Sequence, residues 1–205
     1  MTNEWKPIGN GPNDKFTGTF DGKNHYISGC YVSEANNSTA GLFGATDTIK
    51  NLTIKDSYIY SAKQNVGGIV GGIIGYAAEM SIEQCNNSGN IQSDAANVGG
   101  IAGSIQSNSK ITSCNNTGEI TSKGNYVGGI LGNLGSACKV ESCNNVGKII
   151  TRDYVAGGVV GIVNESDASE TDSIVNKCYN SGTIEGGYIG GIVDAIKKKI
   201  LEMLL

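Results

Sequence analysis

The sequence predicts an all-β fold, a right-handed parallel β-helix (solenoid) of about six coils with an N-terminal cap and a short C-terminal amphipathic helix. Two repeating patterns carry that prediction. The first is V-G-G-I or a close variant. It stands at Val66-Gly67-Gly68-Ile69, Val98-Gly99-Gly100-Ile101, Val127-Gly128-Gly129-Ile130, Ala156-Gly157-Gly158-Val159 and Ile189-Gly190-Gly191-Ile192, with glycine pairs 32, 29, 29 and 33 residues apart. Gly41-Leu42-Phe43-Gly44 is a shortened copy. The second pattern is Ile/Val-x-x-Cys/Leu, at Ile27/Cys30, Ile49/Leu52, Ile82/Cys85, Ile111/Cys114, Val140/Cys143 and Val175/Cys178. Behind the last four, Asn follows at +2, Gly at +4 and Ile at +6. Short apolar runs broken by Asn-Asn and Gly suit strands and corners. In the third copy they fall at about 98–105, 109–114 and 118–122. Such a unit cannot bury its apolar side alone, whereas stacked copies bury it by setting like on like. Strands of successive coils then pair in parallel about 4.8 Å apart. The right hand follows from the chirality of strand–crossover–strand connections.

Residues 1–40 form the cap and a first irregular coil. Trp5, Phe16 and Phe20 supply its core, and Asp21-Gly22 reads as a turn between two alternating strands. Residues 41–192 are the repeats. Their glycine pairs allow close backbone approach, and the asparagines suit left-handed corners and amide ladders from coil to coil. Residues 193–205 read VDAIKKKILEMLL. Val193, Ile196, Ile200 and Met203 fall at helical spacing. Such a helix would cap the last coil or serve as a seam for self-association.

Composition narrows the function. Hydrophobic residues are 39% of the chain, enough for a packed core rather than disorder. Aromatics are only 6%, so the core is built of Ile, Val, Leu, Ala and Cys. Net charge is −4 and Arg152 is the only arginine, which argues against nucleic acid as a partner. No apolar run reaches the roughly 18 residues of a membrane helix. The first 20 residues lack the pattern of a signal peptide. The chain is thus expected to be cytosolic or a module of a larger exported protein.

Trp5-Lys6-Pro7-Ile8-Gly9, the run from Phe16 through Phe20-Asp21-Gly22-Lys23-Asn24-His25-Tyr26-Ile27 to Gly29, and Gly41-Leu42-Phe43-Gly44 resemble the opening of bacterial GLUG-motif proteins. The V-G-G-I-x-G and C-N-N-x-G-x-I copies resemble that family's repeat, and the likeness covers about residues 5–192. The resemblance implies an extracellular or cell-surface β-solenoid, adhesin-like, with no catalytic residues to carry over. GLUG repeats also accompany bacterial immunoglobulin A metallopeptidases. Those need an H-E-x-x-H zinc helix, and His25 is the only histidine here.

Several constellations could carry chemistry. Cys30, Cys85, Cys114, Cys143 and Cys178 share one repeat position with Leu52, which favours a column of buried free thiols over disulfides or metal. Cys138 lies off register and is expected to be partly exposed. Asn87, Asn116, Asn145 and Asn180 form the matching asparagine ladder. Asp94, Asp153, Glu119 and Glu185 lie near the third strand, and Glu119 and Glu185 read as one column with Lys148 and Asn90. Such a mixed column suits a solvated face better than the paired carboxylates of glycoside hydrolysis. No cofactor or metal is expected. Two corners are long, 72–81 and 162–174. The second, with Asn164, Glu165, Ser166 and Asp167, is the better recognition loop for a host glycan or surface protein. The sequence therefore favours a non-enzymatic stalk or adhesive module. A polysaccharide-degrading β-helix enzyme and a purely structural spacer are the rivals.

Overall fold

A computed structural model of the chain describes residues 4–9, 14–34, 39–62, 65–69, 79–152, 154–166 and 171–197. They form an all-β parallel solenoid of about five turns, wound from four sheets. The largest sheet has 10 strands and contains Phe16–Ser28, Thr46–Lys55 and the Ile-x-x-Cys-x-Asn segments; we call it the asparagine face. A 6-stranded tyrosine face runs from Tyr31–Glu34 and Tyr58–Ser61 to Ile184–Glu185. A 5-stranded glycine face stacks the V-G-G segments from Val66–Gly67 to Tyr188–Gly190. The fourth face has 4 strands, Ala102–Ile105, Leu131–Leu134, Val160–Asn164 and Val193–Lys197. Among the described residues, the pass through Phe16–Ser28 and Tyr31–Glu34 contributes strands to only two of the four faces, with Ala40 making a single bridge to Val66 of the glycine face. It is a partial turn, which is why about five turns form rather than six.

The asparagine face explains the three-residue spacing of its inward residues. In a strand, positions i and i+3 point to opposite sides. Gln84, Ser113, Ser142 and Lys177, just before each cysteine, have φ of 52°, 55°, 55° and 51°. This one left-handed residue resets the alternation, so Ile82 and Cys85 both point into the core and are fully buried. The left-handed corners expected of asparagine are therefore shared out differently. Asn51, Asn65 and Asn97 occupy them, whereas Asn87 and Asn116 lie in strands and face inward.

Two expectations at the ends fail. The N-terminal Asp21-Gly22 is no hairpin turn. Phe16–Ser28 is one strand, parallel to Thr46–Lys55, with a register shift between Asp21 and His25 where Lys23 and Asn24 adopt φ of 48° and 61°. Its partner lies one turn ahead along the solenoid, so no antiparallel mate is needed. Phe16 and Phe20 pack on buried Phe43 at 5.6 and 5.4 Å between ring centroids, closing this end. Trp5 remains 38% exposed, its indole N–H donating to the Leu42 carbonyl.

At the other end, Val193–Lys197 is a strand, not the start of a helix. It pairs in parallel with Val160–Asn164, matching Val193 to Val160 and Ile196 to Val163. The open sheet edge offers this backbone partners that a lone helical turn would have to find internally. No helix occurs among the described residues. The rest of the expected helix, 198–205, lies outside them.

Candidate functional site

The two sequence motifs meet inside the solenoid. Asn87, Asn116 and Asn145 are buried in the asparagine face, and each amide donates across to the next turn. Asn87 Nδ2 reaches Asn116 Oδ1, Asn116 Nδ2 reaches Asn145 Oδ1, and Asn145 Nδ2 reaches Asn180 Oδ1, each at 2.9 Å. The other N–H of each amide donates to the carbonyl of the glycine two residues on, at 3.0 or 3.1 Å. The second glycines Gly68, Gly100, Gly129 and Gly158 lie against this ladder. A Cβ on Gly100 would stand 2.4 Å from Asn116 Cγ and 2.2 Å from the Gly129 carbonyl oxygen. The glycine pair is therefore the space in which the next turn's amide and backbone sit.

The cysteines stack beside the ladder. Cys85, Cys114, Cys143 and Cys178 each precede an in-register dipeptide, Asn86-Asn87, Asn115-Asn116, Asn144-Asn145 or Tyr179-Asn180. Leu52 takes the same place one turn earlier. All six thiols are free, and burial holds Cys114 well above the ordinary thiol range. Cys30 does not belong to this column. The partial first turn is shorter, so Ile27 pairs with Ile54, and the Cys30 N–H donates to Ser57 Oγ at 3.0 Å. Cys138 is fully buried rather than partly exposed, and burial pushes its thiol up to about 11.

The candidate loop begins where Val160–Asn164 ends. Asn164 and Ser166 are exposed, Glu165 is half-buried, and Asp167 lies outside the described residues. The Glu165 carboxylate accepts the Ser173 backbone N–H. The Ser166 N–H donates to Ser136 Oγ at 2.7 Å, and Ser173 Oγ donates to the Gly135 carbonyl at 2.6 Å. Glu165 thus ties the two ends of the loop together, Ser166 N–H and Ser173 Oγ fasten it to the preceding turn, and the side chains of Asn164 and Ser166 lie exposed. The other long corner falls largely on 70–78, outside the described residues.

The carboxylates weighed for catalysis do not converge. Glu119 is in register with Asn90 and Lys148, whereas Glu185 follows Ile184 and pairs with Ile150, one column away. Lysines of neighbouring turns meet acidic groups, among them Lys123 with Asp94 at 2.9 Å, Lys148 with Glu185 at 2.7 Å and Lys110 with Glu83 at 2.7 Å. The lysine contacts hold Asp94 and Glu83 below the usual carboxylate range. Asp153 lies outside the described residues. Among the described residues no cluster of three or more His, Cys, Asp or Glu could hold a metal ion, and no helix is long and apolar enough to cross a membrane.

The sequence reading missed the aromatic side of the tyrosine face. Tyr31 and Tyr58 stack with centroids 5.9 Å apart. Tyr58 O–H donates to Gln92 at 2.8 Å, and Tyr60 O–H donates to Asp94 at 3.2 Å. The alternation Tyr58-Ile59-Tyr60, with Ile59 buried, was the available signal.

No family model matches the chain. A stretch of 107 residues, 51% of the chain, is 32% identical to halomucin of Haloquadratum walsbyi (strain DSM 16790 / HBSQ001), and it spans only 1% of that protein. The crystal structure of "a putative immunoglobulin A1 protease" from Bacteroides ovatus superposes with a TM-score of 0.66 over 96% of this chain and 73% of that one, at 18% identity. That likeness is one of fold.

Proposed function

We propose that the chain is a non-enzymatic repeat module of an exported protein, a stalk or adhesive segment at the cell surface. Its contacts with a host glycan or surface protein would run through the corner around Asn164 and Ser166. The observation that carries this reading is the neutralised lateral surface. Asp94, Glu83 and Glu185 each lie against a lysine of an adjacent turn, which suits solvated ladders along a spacer and not an acid–base pair. The likeness to a stretch of halomucin supports the repeat-module part of the reading. The GLUG resemblance of the opening segment and repeats belongs to the same proposal. A metallopeptidase reading of the fold neighbour gains no support, because His25 is the only histidine and no H-E-x-x-H occurs.

The test is binding of the purified chain to glycan and host-matrix arrays. Deleting 162–174 would remove core Ile162 and Val163, so the comparison is the exposed pair Asn164→Ala/Ser166→Ala. A saturable signal weakened by the pair supports adhesion through this corner. Release of reducing ends from polysaccharides would overturn the non-enzymatic reading. Silence on both the arrays and this hydrolysis assay would leave the spacer.

A further inference from the structure

In a solenoid the residues that the fold needs recur at every turn, and positions that vary are open to other uses. The tyrosine face divides on that line. Its inward file, Val32, Ile59, Ile91, Ile120 and Ile149, is aliphatic and buried throughout. Its outward positions change from turn to turn. Tyr31 and Tyr58 are followed in register by Asn90, and Ser33 and Tyr60 by Gln92, Thr121 and Ile150. Aromatic rings are thus gathered on two neighbouring turns of this face, in a chain that is only 6% aromatic.

These rings are held in place. Tyr31 and Tyr58 stack at 5.9 Å between centroids, with 13° between their planes. The Tyr58 hydroxyl donates to Gln92 Oε1 and the Tyr60 hydroxyl to Asp94 Oδ2, both on the following turn. Asp94 is fixed in turn by Lys123, one turn further on. All three rings are half-buried. Burial, with Tyr31, Tyr60 and Asp94 nearby, holds the Tyr58 phenol above its usual range, so it stays a neutral donor. Gln92 gives its carbonyl to Tyr58, and its amide N–H groups have no partner among the described residues.

The surroundings of the rings select the kind of ligand. The aliphatic residues beneath them are closed off, so no groove takes the apolar anchors of a docked helix. Tyr58–Ser61 already has strand partners on both sides, so a peptide cannot add to it as a strand. Asp94 and Lys123 pair at 2.9 Å and cancel, so the patch favours neither an acidic nor a basic partner. What is presented is ring surface rimmed by the Gln92 amide, the Thr121 hydroxyl and the tyrosine hydroxyls. A neutral sugar ring is the complement. Its C–H bonds meet the negative face of an aromatic ring, and its hydroxyls reach donors and acceptors at the rim.

We propose that the outward side of the tyrosine face, at Tyr31, Tyr58 and Tyr60, is a binding site for a neutral oligosaccharide. Sugar rings lie against the tyrosines, Gln92 donates to a sugar hydroxyl, and a linear glycan runs on over Thr121. Asn164 ends a strand of a different face, so this site is separate from the corner proposed above.

The experiment titrates the full chain with neutral hexasaccharides of β-1,4-glucan, β-1,3-glucan, xylan, mannan and galactan, and with a polygalacturonate hexamer. Saturation-transfer NMR and calorimetry are the readouts. At least one neutral hexasaccharide should bind saturably at millimolar concentration or below, with transfer strongest to its ring C–H protons, and the uronate more weakly. Tyr58→Ala/Tyr60→Ala should weaken binding at least about tenfold, whereas Tyr58→Phe/Tyr60→Phe, which keeps the rings, should stay within about threefold. Gln92→Arg fills the patch from a surface position; it should weaken binding about tenfold with the parent melting temperature, so the test stands even where the alanine pair does not fold. No binding by any neutral hexasaccharide would overturn the proposal. So would parent-like binding by Gln92→Arg, or tighter binding of the uronate. Binding lost in Asn164→Ala/Ser166→Ala and kept in Gln92→Arg would place the sugar at the corner, overturning this site and supporting the other.

Discussion

Replacing Asn116 by leucine keeps the approximate volume of the side chain and removes its hydrogen bonds. Asn116 is fully buried and makes four: from Asn87 and to Asn145 at 2.9 Å each, to the Gly118 carbonyl at 3.0 Å, and from the Gly118 N–H at 3.3 Å. At about 1 kcal/mol net for each, the loss is about 4 kcal/mol. Burying leucine in place of an amide returns about 1–2 kcal/mol. The expected net destabilisation is about 2–3 kcal/mol. At about 2–4 °C per kcal/mol for a chain of this size, the melting temperature falls by about 5–10 °C. Asn180→Leu is the internal comparison. That residue is half-buried and makes three hydrogen bonds, one from Asn145 and two with Gly182, so the same arithmetic gives about 1–2 kcal/mol. The assay is urea unfolding of the three proteins followed by circular dichroism, with equal m-values as the condition for comparing midpoints. If Asn116→Leu lies within about 0.5 kcal/mol of the parent, or matches Asn180→Leu, the ladder is not a source of stability and the reasoning fails.

Three other outcomes follow from the same geometry. Gly100→Ala should cost about 3 kcal/mol, because its methyl would overlap the Gly129 carbonyl and Asn116, whereas Gly191→Ala should lie within about 0.5 kcal/mol of the parent; thermal melts of the pair decide it. Thiol counting with a small disulfide reagent should find only Cys178 reacting in the folded chain, slowly because its neighbour Cys143 and burial raise its pKa, and all six reacting after unfolding; early reaction of buried Cys138 would contradict the structure. Asp47, Asp94 and Glu83 are held below their ordinary values mainly by Lys15, Lys123 and Lys110. A carboxylate with a lowered folded pKa stabilises above its unfolded value and loses that contribution as pH falls through the folded one. Urea midpoints should therefore hold from pH 7 to about 5 and decline below about 4, with a smaller decline in Lys123→Ala.

Much of the architecture follows from spacing alone. A period near 29 residues, with the same residue types at the same offsets, leaves stacking of like on like as the way to bury the apolar positions. The four copies of the Cys-x-Asn-x-Gly pattern were legible for that reason. What misled the reading was local. Ile27/Cys30 matches the motif in letters, but the short first turn sets Cys30 opposite Ser57, and only inter-turn hydrogen bonding fixes that register. VDAIKKKI carries helical spacing, yet its first five residues face a row of backbone groups on Val160–Asn164, and that edge makes them a strand. Asp21-Gly22 has the composition of a turn, but its partner strand is parallel and lies a full turn along the chain. The candidate loop divides on the same principle. Composition marked Asn164 through Asp167 as polar, and only the fold shows that Glu165 is spent on the Ser173 amide while Asn164 and Ser166 are presented outward.

The sequence by itself determined the repeat, its period and therefore a stacked parallel β fold, because those depend on which residue types recur and how far apart. The tertiary structure decided which recurrences share a column, where a left-handed residue turns a strand to bury both Ile82 and Cys85, and which of the loop's polar groups are tied down. Each depends on what lies one turn away in space, and neighbours along the chain do not carry that information.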